Sequence, residues 1–258
     1  MKQKLPLVAL TLFVGCLVLA AGVVAFNKKA VVEKLDLELR QSQELSSFVP
    51  VKPVTSEDHI RGNPDAEVFV IEFADIECPA CKIFHEDSHK ILERYGDRVA
   101  LVYRHFPLTS LHANAEKEAE AAECVADLAG NEAFWKFLDA VYKRTDSNDT
   151  LDLRLLPSLA EKAGADRNKF VTCLQERMFE PKIKSHILDG VHAGVTKTPS
   201  VVIWRNGKGL GIIRGSSYER TVVALDRVLQ DGTRGLPVQP EISKPPDNVC
   251  SREDGCEE

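Results

Sequence analysis

The sequence predicts an α/β fold in which a helical insertion interrupts a sheet domain, with a transmembrane helix at the N-terminus. Four segments rich in β-branched and aromatic residues have the pattern of strands: 68–73, 99–103, 200–204 and 210–213. Between the second and the third, apolar side chains recur at helical spacing over about residues 110–195. Near the start of the chain, residues 5–26 contain no charged side chain.

The size and charge of the chain narrow the classes of function. Its 258 residues are enough for one domain with a sizeable core and an insertion. Asp and Glu number 39 against 33 Lys and Arg, a formal net charge of −6, and no long basic run occurs. We therefore set aside nucleic-acid binding, which requires a basic surface to meet phosphates.

The apolar run at residues 5–26 has the length of a membrane span. Its 22 residues would form a helix of about 33 Å, close to the thickness of a bilayer's hydrocarbon core. Lys2 and Lys4 precede the run, as in a signal anchor or a signal peptide. Because the run is longer than the core of a typical signal peptide, we expect residues 1–27 to be an uncleaved anchor, with a cleaved form as the alternative.

The cysteine content is typical of an oxidising compartment. Of the seven cysteines, Cys16 lies in the apolar run and the other six form an even set. An even set in a chain predicted to be exported is compatible with disulfide formation. We therefore expect the chain beyond residue 27 to lie outside the cytoplasm.

Two flanking segments are expected to lie outside the sheet domain. Residues 28–61 are predicted to form a helical stalk and a linker, with one narrow apolar stripe over residues 32–39 and prolines at Pro50 and Pro53. The stripe could also pair with a second copy of the chain and give a homodimer. Residues 233–258, rich in Pro, Asp, Glu and Ser, are predicted to be a flexible tail.

Helix signals occupy most of the domain between the strands. A helix is expected at 79–95, and another runs from Ala115 to Ala129, where Gly130 suits a helix C-terminus. Further helical patterns lie at 134–142, 155–163, 170–174 after an Asp166 cap, 183–191 and 218–229. Asn206-Gly207 predicts a hairpin turn between the last two strands.

The pair Cys78 and Cys81 lies at the junction between the first strand and the helix at 79–95. A zinc site needs four ligands; no second pair has this spacing, and His85 and His105 complete no recognisable set, so we predict no metal. A structural loop disulfide is the other alternative. At a helix N-terminus, free amide groups and the helix dipole stabilise a thiolate and would lower the pKa of Cys78. Cys81, one turn on, could then attack a mixed disulfide at Cys78, so redox chemistry is favoured.

Two side chains near the pair bear on this interpretation. Glu77 precedes Cys78 and would raise the pKa of that thiol if its carboxylate faced the sulfur. His85, one turn beyond Cys81, could tune the site, but we interpret it as an exposed helical histidine.

Thr198 and Pro199 stand directly before the third strand. The trans preference before proline is only about 0.5–1 kcal/mol, so this peptide bond can be cis, although a trans bond is also compatible with the sequence. A cis turn would leave the backbone of Thr198 free to pair with an extended substrate beside Cys78.

Five spaced motifs give the sequence a family resemblance. They are EFADIECPAC at 72–81, YRHFP at 103–107, AAEC at 121–124, FVTCL at 170–174 and GVTKTPSVVI at 194–203. Together they resemble the DsbA family of thioredoxin-fold thiol–disulfide oxidoreductases, over roughly residues 62–231. The resemblance implies a thioredoxin-like domain at 62–232 with the helical insertion at about 110–195.

The resemblance also implies roles for individual residues. The active site would consist of Cys78, Cys81 and a cis-Pro199 preceded by Thr198, with Glu72 as a buried acid beneath it that exchanges a proton with Cys81. No cofactor is implied.

The other cysteines are expected to form two further pairs. Cys124 and Cys173 each fall in a motif shared with relatives and are expected to form a structural disulfide, with two buried free thiols as the alternative. Cys250 and Cys256 could close a small tail disulfide, structural or labile.

The sequence also departs from the family pattern. Strongly oxidising members carry Pro-His between the cysteines, and that histidine helps to stabilise the thiolate, whereas Ala80 has neither a donor nor a charge. Together with Glu77, Ala80 predicts a weaker oxidant.

These observations lead to an expected function. We expect an oxidoreductase that introduces disulfide bonds into unfolded or partly folded exported proteins. It would be a single-pass protein of the cytoplasmic membrane, with its catalytic domain on the periplasmic side, reoxidised by a quinone-linked thiol oxidase (DsbB-like or VKOR-like). The alternatives are an isomerase or reductase on the same fold, possibly dimeric, and a non-enzymatic peptide-binding chaperone.

Overall fold

A computed structural model of the chain describes residues 48–231. The strands of this part are β1 (His59–Gly62), β2 (Val68–Ala74), β3 (Val99–His105), β4 (Ser200–Arg205) and β5 (Lys208–Arg214). Its α-helices are α1 (Pro79–Tyr95), α2 (Ala115–Ala129), α3 (Asn131–Arg144), α4 (Leu156–Ala163), α5 (Arg167–Gln175), α6 (Glu180–His192) and α7 (Tyr218–Asp231). Short 3-10 turns lie at Gly96–Arg98 and Leu153–Leu155.

β2 is the central strand of a five-stranded sheet with the order β1-β3-β2-β4-β5. β2 and β3 are parallel and are connected through α1, whereas the other neighbours are antiparallel. All seven residues of β2 are buried, as expected for a strand covered on both faces of its sheet. Glu72 in this strand is paired with Tyr103 on one side and Val201 on the other.

Side chains alternate along β2 and enter two separate cores. Val70 lies in the core that the sheet forms with α1, α7 and the helical insertion, whereas Ile71 lies in the core on the opposite face. By the same alternation, Glu72 points toward the core of Val70, and Tyr103 is a member of that core. A carboxyl group is therefore directed into the larger apolar core.

The helical insertion consists of α2 to α6, between β3 and β4. α2 ends at Gly130, whose φ of 84° is a conformation that favours glycine. Asp166 caps α5 by accepting a hydrogen bond from the backbone N–H of Lys169 at 2.9 Å. Cys124 of α2 and Cys173 of α5 form a buried disulfide with a Cα–Cα distance of 6.0 Å, so the expected pairing is confirmed.

The folded domain includes residues that the sequence analysis placed in the stalk and linker at 28–61. His59–Gly62 form the edge strand β1, which pairs antiparallel with β3. Asp58 directly precedes β1. The buried Arg104 of β3 donates to Asp58 at 2.9 Å and to Asp189 of α6 at 2.6 Å, which fixes the segment before β1 to the sheet and to α6. Four residues are too few to show a strand pattern, which explains why β1 was not predicted.

Several predictions concern residues outside the described part. They are the membrane anchor at 1–27, the stalk up to residue 47, and the tail at 233–258 with Cys250 and Cys256. Within residues 48–231, every helix is too short or too polar to serve as a membrane span.

Removal of the buried disulfide should destabilise the insertion. Cys124 and Cys173 are 49 residues apart, and a loop of this length predicts a loss of about 2–4 kcal/mol in the free energy of unfolding for Cys124→Ala/Cys173→Ala. Urea unfolding of both proteins under oxidising conditions measures this difference. A loss below about 0.5 kcal/mol would show that the helices hold the insertion without the bond.

Candidate active site

Cys78 lies at the N-terminus of α1. β2 ends at Ala74, and a short loop follows. Pro79 occupies the first position of the helix, where an N–H would have no intrahelical acceptor, so the missing N–H of proline costs no hydrogen bond. The N–H of Cys78 donates to the carbonyl of Asp75 at 3.1 Å, and the N–H of Cys81 donates to the carbonyl of Cys78 at 3.0 Å. Cys78 keeps 8% of its surface exposed, whereas Cys81 is completely buried.

The two thiols have opposite electrostatic environments. The pKa of Cys78 is lowered to about 6, first by the hydrogen bond from the Cys81 side chain, then by the contact with Thr198 and by the backbone N–H groups of Cys81 and Ala80, against the opposing effect of burial. Burial raises the pKa of Cys81 well above its usual value, and the charge of Cys78 adds to this effect. The pair therefore consists of one slightly exposed thiolate and one completely buried, protonated thiol.

Thr198 and Pro199 lie beside Cys78 although they are distant in sequence. The Thr198-Pro199 peptide bond is cis, and β4, which follows it, is paired with β2. Sγ of Cys78 lies 3.6 Å from the carbonyl oxygen of Thr198. The sheet thus brings together the two halves of the predicted site.

Glu72 is buried in the same core and retains only 5% exposure. Its Oε1 has no hydrogen-bond partner, and burial, followed by the charge of Cys78, raises its pKa to about 8. Its neighbour Tyr103 makes a hydroxyl–hydroxyl contact of 3.1 Å with Tyr142 of α3. At neutral pH, Glu72 therefore carries a proton close to the two cysteines.

Comparison with known proteins identifies the family. A family model described as Thioredoxin matches residues 54–222. DsbA2 of Pseudomonas aeruginosa is 26% identical, with a TM-score of 0.57, and the match covers 70% of this chain and 99% of that chain. The chain belongs to the DsbA-like thioredoxin-fold family. The resemblance in the motifs and the implied fold with its helical insertion are thereby confirmed.

A second solved structure shares the DsbA-like fold. Oxidised BdbD of Bacillus subtilis is 21% identical with a TM-score of 0.61, and the match covers 71% of this chain and 99% of that chain. At this level of identity the likeness concerns the fold alone.

The curated relatives carry a different name. "Na(+)/H(+) antiporter NhaA 3" of Salinispora tropica is 30% identical over 201 residues, which cover 78% of this chain and 28% of that protein. An NhaA antiporter of Herminiimonas arsenicoxydans is 30% identical over 185 residues, covering 72% of this chain and 27% of that protein. The DsbA-like chain thus spans less than a third of the length of the curated relatives it matches.

Two interpretations of side chains near the DsbA-like pair are corrected by the structure. His85 is not exposed: it is 4% accessible, and its Nε2 lies 2.7 Å from Asp139. The pKa of Cys78 is lowered rather than raised, although Glu77 is adjacent in sequence. Its Oε2 instead accepts a hydrogen bond of 2.7 Å from the N–H of Asp149, which directs the carboxylate toward the loop at 147–149.

His85 belongs to a cluster of potential metal ligands with His89 and Asp139. The guanidinium of Arg61 donates to both carboxylate oxygens of Asp139 at 2.9 Å and contacts Nε2 of His89 at the same distance. Arg61 also lies 4.3 Å over the ring of Trp135. A guanidinium already occupies the place that a metal cation would take, so we interpret the cluster as an ion-pair network.

Three buried polar residues near Cys78 were not singled out from the sequence: Asp75, His112 and Glu118. Oδ2 of Asp75 accepts a hydrogen bond from the N–H of Leu108 at 2.7 Å and lies 2.8 Å from Nδ1 of His112. Burial, followed by the neighbouring Glu77 carboxylate, raises the pKa of Glu118 to about 10. Asp75 directly follows β2, and this position could have marked it as a candidate site residue from the sequence, because the carboxyl ends of the parallel strands β2 and β3 meet at one edge of the sheet.

Glu118 should make stability depend on pH. Its folded pKa of about 10 lies above the ordinary value of 4.5, so the folded state retains a proton that the unfolded chain releases. This contribution is complete below the unfolded pKa and is lost as pH rises toward the folded pKa, by up to about 1.4 kcal/mol per pH unit. Glu118→Gln should therefore show a shallower fall in unfolding free energy between about pH 5 and 9 than the natural chain.

Urea unfolding at several pH values measures this slope. Glu116→Gln, a substitution of a half-exposed carboxyl on the same helix, is the control and should keep the natural slope. Equal slopes for the natural chain and Glu118→Gln would contradict a protonated Glu118.

Proposed function

We propose that the protein is a thiol–disulfide oxidoreductase that introduces disulfide bonds into exported proteins through Cys78 and Cys81. The observation that carries this proposal is the opposite shift of the two thiol pKa values at the N-terminus of α1. A low pKa makes Cys78 a good leaving group, and a high pKa keeps Cys81 protonated once the pair is reduced.

The first step is transfer of the disulfide to the substrate. A substrate thiolate attacks Sγ of Cys78, the Cys78–Cys81 bond breaks, and its electron pair leaves with Sγ of Cys81. Cys81 takes up a proton, which we assign to Glu72 because that carboxyl is protonated at neutral pH within the same core. Glu72 regains the proton when Cys81 gives it up during reoxidation.

The second step releases the oxidised substrate. A second substrate thiolate attacks the substrate sulfur of the mixed disulfide, and Cys78 departs as the thiolate that its environment stabilises. The substrate loses two electrons and gains a disulfide, while the enzyme pair becomes a dithiol.

The size of the pKa shift sets the oxidising strength. A Cys78 pKa of about 6 in place of 9.0 favours the dithiol over the disulfide about tenfold at pH 7, which corresponds to about 30 mV for two electrons. The raised pKa of Cys81 adds little to the preference for the dithiol at pH 7, because an ordinary thiol is already protonated at that pH. This supports a moderate oxidant, in agreement with the absence of a charged residue between the cysteines.

The surface beside Cys78 suits an unfolded substrate. Pro79 and Ala80 are exposed, and two large apolar side chains nearby are mostly accessible: Ile83 at 64%, two residues after Cys81, and Leu111 at 68% in the loop after β3. Apolar side chains that are exposed around a reactive group favour binding of segments whose own apolar residues are unburied.

The partners and location follow from the chemistry and from the chain before residue 48. The dithiol must return two electrons to an oxidant, and we propose a quinone-linked membrane thiol oxidase, DsbB-like or VKOR-like. The apolar run at 5–26 supports a membrane anchor, with the catalytic domain on the periplasmic side. We do not propose ion transport: the shared segment covers under a third of the antiporters and must include much of the thioredoxin-like domain.

Two substitutions test the roles of the cysteines. Cys78→Ser should abolish oxidation of a reduced peptide, because the active-site disulfide can no longer form and the remaining sulfur, that of Cys81, is completely buried. Cys81→Ser should instead accumulate mixed disulfides with disulfide-containing substrates, visible on non-reducing gels, because the Cys78 thiolate can still attack them and no Cys81 thiol remains to release the substrate. Peptide oxidation by the Cys78→Ser protein would show that the assignment is wrong.

The redox state in cells separates the oxidase from an isomerase or reductase. Acid quenching followed by alkylation should find the pair mostly as the disulfide. A mostly reduced pair would contradict the oxidase and favour the isomerase or reductase.

A further inference from the structure

The loop that carries Cys78 is surrounded by carboxyl groups. Asp75, Glu77 and Glu118 are each at most 1% exposed, and Asp149 is half-buried beside them. The carboxylate of Asp75 accepts a hydrogen bond of 2.8 Å from the N–H of Glu77, and the carboxylate of Glu77 accepts one of 2.7 Å from the N–H of Asp149. Negative charge at these positions disfavours a thiolate at Cys78. A thiolate at Cys78 is therefore favoured where these negative charges are compensated.

One part of the compensation is a proton on Glu118. This carboxyl is fully buried, and neither oxygen has a cationic partner among the described residues. Its raised pKa leaves it neutral at physiological pH. Asp149 in turn accepts hydrogen bonds from the N–H groups of Ala113 and Asn114, so backbone donors at the start of α2 stabilise its charge.

The other part is His112, which is 6% exposed and lies in the loop between β3 and α2. Its Nδ1 is 2.8 Å from Oδ2 of Asp75, and its own N–H donates to the carbonyl of Leu108 at 2.9 Å. The hydrogen bond that its Nδ1–H donates to Asp75 raises the pKa of His112 against the effect of burial, and the charges of Asp75, Cys78 and Asp149 act in the same direction.

We propose that His112 is a positioning residue of the redox site: as an imidazolium held by Asp75, it neutralises the carboxylate next to the active-site loop and thereby preserves the Cys78 thiolate. The proposal rests on the proposed redox function. His112 supplies the positive charge that Ala80, between the two cysteines, cannot supply. Lys82, in the first turn of α1, donates through its Nζ to the carbonyl of Thr145.

Titration of Cys78 in the reduced full-length protein tests this proposal. Ultraviolet absorbance of the thiolate gives the pKa without substrate or redox partner. His112→Gln retains an amide that can bind Asp75 but removes the charge, and we expect the Cys78 pKa to rise by about one unit. His112→Lys keeps a positive charge and should leave the pKa close to that of the natural protein.

A double substitution separates electrostatic from structural effects. In His112→Gln/Asp75→Asn both members of the ion pair are neutral, so the Cys78 pKa should return toward the natural value. A structural role alone would leave the double variant as perturbed as His112→Gln, or more so. His89→Gln, at an exposed histidine of α1, is the matched control and should not move the pKa.

Two results would overturn the proposal. One is an unchanged Cys78 pKa in His112→Gln; the other is equal pKa values for the Gln and Lys variants. If His112→Gln does not fold, as judged by circular dichroism, comparison of His112→Lys with His112→Lys/Asp75→Asn still tests it, because loss of the anion beside a retained cation should lower the pKa. Failure of peptide oxidation with an intact thiolate pKa would count against the proposed function and leave this inference standing.

Discussion

A negatively charged sulfur held at the buried N-terminus of α1 is the constraint on which the rest of the site depends. Burial opposes ionisation of Cys78, and hydrogen bonds from the Cys81 side chain and the first amide groups of α1 outweigh it, as a pKa near 6 shows. The helix can begin at this point because Pro79 needs no hydrogen-bond acceptor. The fully buried strand β2 then fixes the position of the helix against the sheet.

The polar groups around Cys78 respond to this charge in different ways. Glu72, directed into the core below, remains protonated and is coupled to the thiolate through its own raised pKa. Beside the loop that carries Cys78, the carboxyl of Glu118 is neutral, and the carboxylate of Asp75 is paired with the imidazole of His112. Each arrangement avoids an uncompensated buried charge, which would cost several kcal/mol. The helical insertion contributes to this environment, because α2 and the loop at 145–149 supply the groups that contact Glu77.

Much of the fold and the centre of the site could be predicted from the sequence because both leave local patterns. Cys78, Cys81 and Pro199 stand at strand and helix boundaries that periodicity reveals, and the structure brings them together with Glu72. The electrostatic surroundings were missed because they depend on burial by distant segments. Glu118 lies in a helix rich in Glu, and such a composition predicts a solvent-exposed surface. The sequence likewise predicts an exposed His85, because the covering helix α3 is distant in the chain.

The equilibrium of the Cys78–Cys81 pair with a glutathione buffer tests the central claim most directly. After equilibration of the full-length protein at pH 7, alkylation of free thiols gives the fraction of dithiol and hence the reduction potential. A stabilised thiolate predicts a potential about 30 mV or more less negative than the about −270 mV of thioredoxin, and more negative than about −120 mV, the value of a strong oxidant. A value near −270 mV, as in a thioredoxin-type reductant, would contradict the account.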